Sequence, residues 1–240
     1  MNVVRIVFRK RVLAGLFCTA LAACAVGYAL APHEISVVFD QKIAEGYRSS
    51  IRKCAEKSFL QSQLVDMVMA DMQNKCPSVA ALDVRYTSSL VAHVMVKASV
   101  PIVRIASLTG IHKEYVVCAT GELIEKKYFS EAALAGLPVL YIAGTDYEEK
   151  KTDPECRACA REMDSALFEE FTVTWHSKSE IILRSNSSKE RMVLIADSTT
   201  VHDEEKRVYA RRILHIHSDR YKNGIKVDMR LRDSLVCSAL

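Results

Sequence analysis

The longest apolar run of the chain lies near its N-terminus and contains no charged residue. Residues 12–31 read VLAGLFCTALAACAVGYALA. These twenty residues are long enough, at about 1.5 Å per residue, to cross a hydrocarbon core of about 30 Å as a single helix. Basic residues precede the run in the segment RIVFRKR. Because positive charge tends to stay in the cytoplasm, the pattern predicts a cytoplasmic tail over 1–11, a membrane helix over 12–31, and export of the remainder.

Two other interpretations of the apolar run remain open. Ala29-Leu30-Ala31 fits the end of a cleaved signal peptide, but Pro32 after the cut is unfavourable and the run exceeds a usual signal core. Leu21-Ala22-Ala23-Cys24 resembles a bacterial lipoprotein box in which Cys24 carries the lipid, but the residues that follow stay apolar. All three interpretations export the same domain.

Residues 35–99 change their apolar period twice. A β-rich run over 35–39 is followed by apolar residues at three- and four-residue steps, which predict helices over about 47–59 and 61–74. After Pro77 the period becomes two: Leu82, Val84 and Tyr86 alternate with polar residues, and a second alternating run covers 90–98. The pattern predicts a compact α+β unit in the order strand, helix, helix, strand, strand.

The second half reads mostly as strands with one or two helices. Asp153-Pro154 is a typical helix start, and the helix is expected to reach Glu170. A second, charged helix is expected over 203–212. Strands are predicted over 102–105, 115–118, 123–128, 171–176, 180–184, 191–196, 213–217 and 225–231. We expect a mostly antiparallel β domain over 101–240, after an α+β domain over 32–100.

Composition and charge narrow the function classes. Half of the residues are apolar and 26% are charged, which is typical of a folded protein. The net charge is only +4 and several basic residues lie before the apolar run, so no basic surface for nucleic acid is expected. The sequence contains no G-x-S-x-G, H-E-x-x-H, G-x-G-x-x-G or G-x-x-x-x-G-K motif. We therefore expect a protein that is not an enzyme and holds no cofactor.

Cysteines carry the strongest chemical signal. In Cys156-Arg-Ala-Cys159, a thiol at a helix start can have a lowered pKa, which suits thiol exchange. An exported thiol oxidoreductase is thus an alternative function, although no thioredoxin-like βαβ pattern surrounds the pair. Exported cysteines also form structural bridges; Cys54 and Cys76, on or beside the two predicted helices, are candidates.

Two histidines form a weaker signal. His215 and His217 are two residues apart on a predicted strand, so they would share a face and fit a metal pair. The sequence places no third ligand beside them. We expect a solvated strand face and no metal site.

Five segments carry a family resemblance through their order along the chain. They are CPSV followed by LDVRY, LVAHVMVKASVPIVRI, YVVCATGELIEKKYF, LPVLYIAG and, near the end, VDMRL at 227–231. In this order they resemble the bacterial divisome proteins FtsQ and DivIB. The resemblance implies a short cytoplasmic tail, one helix in the cell inner membrane, a periplasmic POTRA-like domain and a β domain.

The resemblance also implies a function and a site. Proteins of this family are non-enzymatic scaffolds that link divisome membrane proteins and help to control septal peptidoglycan synthesis. Small coiled-coil single-pass partners dock on the last strands of the β domain by strand addition. Here those strands would be residues 228–236, with Asp228, Arg230, Leu231, Asp233 and Val236 as the docking residues. A POTRA-containing lipoprotein assembly factor is a further alternative.

Overall fold

The computed structural model describes residues 34–60, 65–88, 91–110, 112–144, 153–188, 190–217, 219–221, 223–231 and 234–240. The predicted tail and membrane helix over 1–31 lie outside these ranges. Within them, no helix is both long enough and apolar enough to cross a membrane. The chain divides into two compact units, with the boundary between Ala98 and Ser99.

The described residues of the first unit form one strand, two helices and two further strands, in the predicted order. Its elements are β1 (Glu34–Phe39), α1 (Glu45–Leu60), α2 (Val65–Lys75), β2 (Val79–Ser88) and β3 (Val91–Ala98). β3 is the central strand of the sheet, with β1 parallel to it on one side and β2 antiparallel on the other. This unit is α+β, as the periodicity predicts.

The core of the first unit lies on one face of its sheet. Alternate residues of β3 (Ala92, Val94 and Val96) are fully buried. The helices contribute Ile51 and Met72, which are also fully buried. The predicted alternation in β3 is confirmed, because side chains two apart on a strand share one face.

The second unit is built on a mixed sheet of nine strands. Its strands are β4 (Pro101–Ser107), β5 (Tyr115–Cys118), β6 (Leu123–Glu125), β7 (Val139–Ile142), β8 (Phe171–Ser177), β9 (Glu180–Ser185), β10 (Met192–Ala196), β11 (Ile225–Asp228) and β12 (Val236–Ala239). They lie in the order β12-β11-β10-β9-β8-β7-β4-β5-β6. Neighbours pair antiparallel except β10 with β11, β7 with β8 and β4 with β7, which are parallel.

Helices cover the second unit's core. They are α3 (Glu131–Leu134), α4 (Pro154–Glu162), α5 (Ser165–Glu170) and α6 (Glu204–Ile216). Asp153 caps α4 as predicted, by accepting a hydrogen bond from the Glu155 N–H. The predicted continuation of this helix to Glu170 is wrong, because Asp164 caps a separate helix with an extended backbone at Met163 between them.

The strand predicted over 213–217 is also wrong. These residues continue α6, which Asp203 starts by accepting a hydrogen bond from the Lys206 N–H. Ala210 is buried in the core, and Ile213 and Leu214 pack against it, so the apolar period here is that of a helix. His215 therefore lies in the last turn of α6 and His217 at its C-cap, and the two do not share a strand face.

Candidate functional site

The strand β12 ends the nine-stranded sheet and pairs with β11 alone among the described strands. The Leu240 N–H donates to the Gly224 carbonyl at 3.1 Å. Because antiparallel bonding alternates along a strand, Ser238 also faces β11. The backbone groups of Cys237 and Ala239 then point away from β11, toward the open side. This is the terminal edge: the open side of β12 over Val236–Ala239.

The side chains of β12 divide between two surroundings. Cys237, with Leu235 just before the strand, packs against the large core of the second unit. Val236 is 56% exposed and Leu240 is 48% exposed. The strand is therefore held from one face and presents apolar side chains on the other, as a strand that accepts a further strand would do.

Gly224 lies where β11 begins and where the terminal edge ends. Its φ of +113° lies in the region that favours glycine. A Cβ at this position would lie 2.3 Å from the Arg191 carbonyl oxygen. The same carbonyl accepts a hydrogen bond from the Ile225 N–H at 2.9 Å. Gly224 thus lets β10, β11 and the end of β12 meet at one point.

An ion pair marks the other end of β11. The Arg230 guanidinium donates to both carboxylate oxygens of Asp228, with Nε 2.9 Å from Oδ1. Its third nitrogen lies 3.4 Å from the Ser179 carbonyl oxygen. The hydrogen bonds from Arg230 hold the pKa of Asp228 below its ordinary value. Both predicted docking residues are therefore engaged in holding the end of the strand.

A lysine of α6 holds the segment that follows. Lys206 Nζ donates to the carbonyl oxygens of Met229 at 3.1 Å and Leu231 at 2.8 Å. The Lys206 side chain is only 16% exposed. These bonds tie the connection between β11 and β12 to the helix, so α6 and the terminal edge are positioned together.

A groove of about 650 Å³ runs beside this connection. Its apolar lining includes Tyr209, Val208 and Leu235. Tyr209 is 57% exposed. The remaining lining residues are Glu204, Glu205, Lys206, Arg212 and Ser234. Since Leu235 leads directly into β12, the groove is continuous with the terminal edge, and its mixed charge and aromatic ring suit an amphipathic segment.

Residues 228–236, the region to which the resemblance maps partner docking, run from the end of β11 to the start of β12. Asp228 is the last residue of β11 and Val236 is the first of β12, so the two lie at the ends of a connection. Leu231, in that connection, is 48% exposed. Asp233 lies outside the described residues. The strand ends at Asp228 because the Asp228–Arg230 pair and the Lys206 bonds engage the next residues instead.

Sequence reasoning missed β12, the groove and Lys206. The strand has only four residues, too few for a period of two to stand out. The only local signal is the β-favouring Val236-Cys237 pair. Nothing in the sequence links Lys206 to carbonyls after β11, because the link depends on the packing of α6.

The predicted redox pair is buried. Cys156 and Cys159 lie on the inner side of α4. Burial raises the pKa of each thiol to about 12, with a smaller contribution from Asp153 beside Cys156 and from Glu162 beside Cys159. The lowering of the pKa that a helix start can produce does not offset the increase caused by burial, so both thiols stay protonated at neutral pH.

The other cysteines of the described ranges are also free thiols. Cys54 and Cys76 are buried and not joined to each other. The Cys76 sulfur lies 3.1 Å from the Ser78 hydroxyl. Across the described ranges, no group of three or more His, Cys, Asp or Glu is placed to hold a metal ion.

No protein-family model matches the chain, and no curated protein is significantly similar to it.

Proposed function

We propose that this protein is a non-enzymatic scaffold of bacterial cell division, similar in role to FtsQ and DivIB. It links divisome membrane proteins and helps to control septal peptidoglycan synthesis through protein contacts. The order of elements in the first unit and a sheet with an open terminal strand in the second unit support this proposal. The resemblance of the five sequence segments is its other support.

The terminal edge is the observation that carries the proposal. Outward backbone groups at Cys237 and Ala239 offer hydrogen bonds to an added strand, and Val236 offers an apolar side chain. Strand addition to an exposed sheet edge is a recurrent mode of peptide recognition, in which main-chain bonds give affinity. The groove along α6 would seat the helical part of a small coiled-coil, single-pass partner.

The first unit is proposed to be POTRA-like and to dock on other divisome membrane proteins. The apolar run over 12–31 is proposed to hold the chain in the inner membrane, with the tail over 1–11 cytoplasmic and the remainder periplasmic. Palmitate labelling distinguishes this anchor from a lipoprotein. If palmitate is incorporated and this incorporation is lost in Cys24→Ser, the anchor is a lipid on Cys24 and not a membrane helix.

Co-purification from membranes tests the docking proposal. Ala239→Pro removes the outward N–H of β12 but no bond to β11, because proline is tolerated on an edge strand whose N–H faces solvent. We expect small single-pass division proteins to co-purify with the wild-type chain and to be lost with Ala239→Pro. Ala239→Ser keeps the N–H and should retain them. Equal recovery with both variants contradicts docking at the terminal edge.

A further inference from the structure

The strand β2 is one of the two edge strands of the first unit's sheet, and β3 is the only described strand with which it pairs. It has ten residues and contains neither proline nor lysine, two residues with which proteins commonly protect a sheet edge. Its pairing with β3 is irregular between Val79 and Ala81 and between Tyr86 and Ser88. Between these points the pairing is regular, and no described strand pairs with the outer side of 82–86.

The two faces of this edge differ in chemistry. Leu82, Val84 and Tyr86 stand opposite Val96, Val94 and Ala92 of β3 and therefore share the face of the buried core. Nevertheless Tyr86 is 60% exposed. Because β2 is an edge strand, no described strand covers the outer side of the Tyr86 ring.

The opposite face carries charges of both signs. The Arg85 guanidinium is 3.3 Å from the Asp83 carboxylate, and Lys97 Nζ is 3.8 Å from the same carboxylate. The Arg85 side chain is 81% exposed. A surface pair this open contributes little to the stability of one copy, so both groups are available to a second strand.

The strand is complementary to itself in one antiparallel register. With Val84 opposite Val84 of a second copy, Asp83 faces Arg85 of that copy, and Leu82 faces Tyr86. Every such pair occurs twice, as a two-fold axis requires. Two opposite-charge pairs then form on one face and two apolar pairs on the other, each of the kind that stabilises neighbouring strands.

The neighbouring registers that keep the same faces are unfavourable. A shift in one direction places Asp83 opposite Asp83, and a shift in the other places Arg85 opposite Arg85. Like charges directly opposite one another destabilise a strand pair. The charge pattern thus favours the register centred on Val84, which is also the centre of the regularly paired residues 82–86.

From this self-complementarity we propose that the protein forms a two-fold homodimer through β2. The two three-stranded sheets become one continuous sheet, with the helices of both copies on the same face. Each Tyr86 is covered by Leu82 of the other copy. The dimer uses a different edge from the one proposed to bind division partners, so it does not rest on that function.

Sedimentation of the purified full chain in mild detergent, over a range of concentrations, tests this dimer. We expect reversible dimers in the wild type and a dissociation constant raised by at least roughly tenfold in Asp83→Arg, because this variant places like charges opposite each other. The exchange variant Asp83→Arg with Arg85→Asp should restore the wild-type constant. Circular dichroism confirms that the single variant is folded.

The same measurement separates this interface from the terminal edge. Ala239→Pro should leave the dimer unchanged. A wild-type chain that stays monomeric at every concentration overturns the proposal, as does a dimer that withstands Asp83→Arg. A dimer lost in Ala239→Pro overturns it as well and assigns self-association to β12.

Discussion

Gly224 is the residue on which the terminal edge depends most directly. Changing Gly224→Ala adds a Cβ that meets the Arg191 carbonyl at 2.3 Å, where backbone must move. We expect the unfolding free energy to fall by more than about 2 kcal/mol, since a strained φ alone costs about 1–2 kcal/mol. Urea denaturation monitored by circular dichroism measures the change.

Gly136→Ala is the matched control for this substitution. Gly136 also has a positive φ, of +78°, but a Cβ there would meet nothing within 4 Å. Gly136→Ala should therefore lower the unfolding free energy only by the cost of the positive φ, without the cost of a clash. Equal losses in the two variants would mean that the contact with Arg191 does not hold the edge.

The thiols of Cys156 and Cys159 should be unreactive in the folded protein. Their pKa values of about 12 leave almost no thiolate at pH 7.5, and both side chains are buried. We expect iodoacetamide to modify the half-buried Cys237 before the five buried cysteines of the described ranges, as measured by mass spectrometry. Rapid modification of Cys156, or insulin reduction lost in Cys156→Ser, would favour the thiol oxidoreductase instead.

The Asp228–Arg230 pair should add to stability only above acidic pH. Because hydrogen bonds from Arg230 lower the folded-state pKa of Asp228 below 3.8, its contribution is present above that value and is lost as pH falls through the lowered pKa. We expect Asp228→Asn to narrow the stability difference between pH 7 and pH 3 in urea denaturation. An unchanged difference would show that the pair is not formed in solution.

At the scale of elements, α6 and the terminal edge act as one structural piece through Lys206. Lys206→Met keeps the apolar stem and removes the donors to the carbonyls of Met229 and Leu231. We expect a loss of about 1–3 kcal/mol, typical of bonds to a charged group, and faster amide hydrogen exchange over 234–240. Lys226→Met, at an exposed position of β11, is the control and should change neither.

Elements with a local signal could be predicted from the sequence, and those set by packing could not. Asp153-Pro154 marks a helix start by side-chain capping and a fixed φ, which are local effects. Residues 213–217 resemble a strand because His215 and His217 alternate with Leu214 and Ile216, yet they belong to α6, whose buried face includes Ala210. Tertiary packing overrides a weak local preference in such short segments.

The terminal edge shows the same division within the candidate site. The resemblance directs attention to residues 228–236, and Val236 does lie on the exposed strand. However, Arg230 and Asp228 satisfy each other, and the outward backbone belongs to Cys237 and Ala239. Which backbone groups of a strand point outward depends on its register with the neighbouring strand. A side-chain pattern of only four residues does not specify that register.

At the scale of the whole molecule, one sheet edge in each unit is proposed to pair with another strand. The edge at β12 is proposed to receive a division partner, and the edge at β2 is proposed to pair with a second copy. The proposal that the chain works through contacts, without catalysis of its own, rests on the edge at β12.

Photo-crosslinking in dividing cells tests that claim most directly. A photo-reactive residue at position 236, where Val236 is 56% exposed, is compared with one at position 108, where Leu108 is 57% exposed. We predict a cross-link from position 236 to a small, single-pass coiled-coil protein and none from position 108. No adduct at position 236, or the same adduct from both positions, would contradict partner docking at the terminal edge.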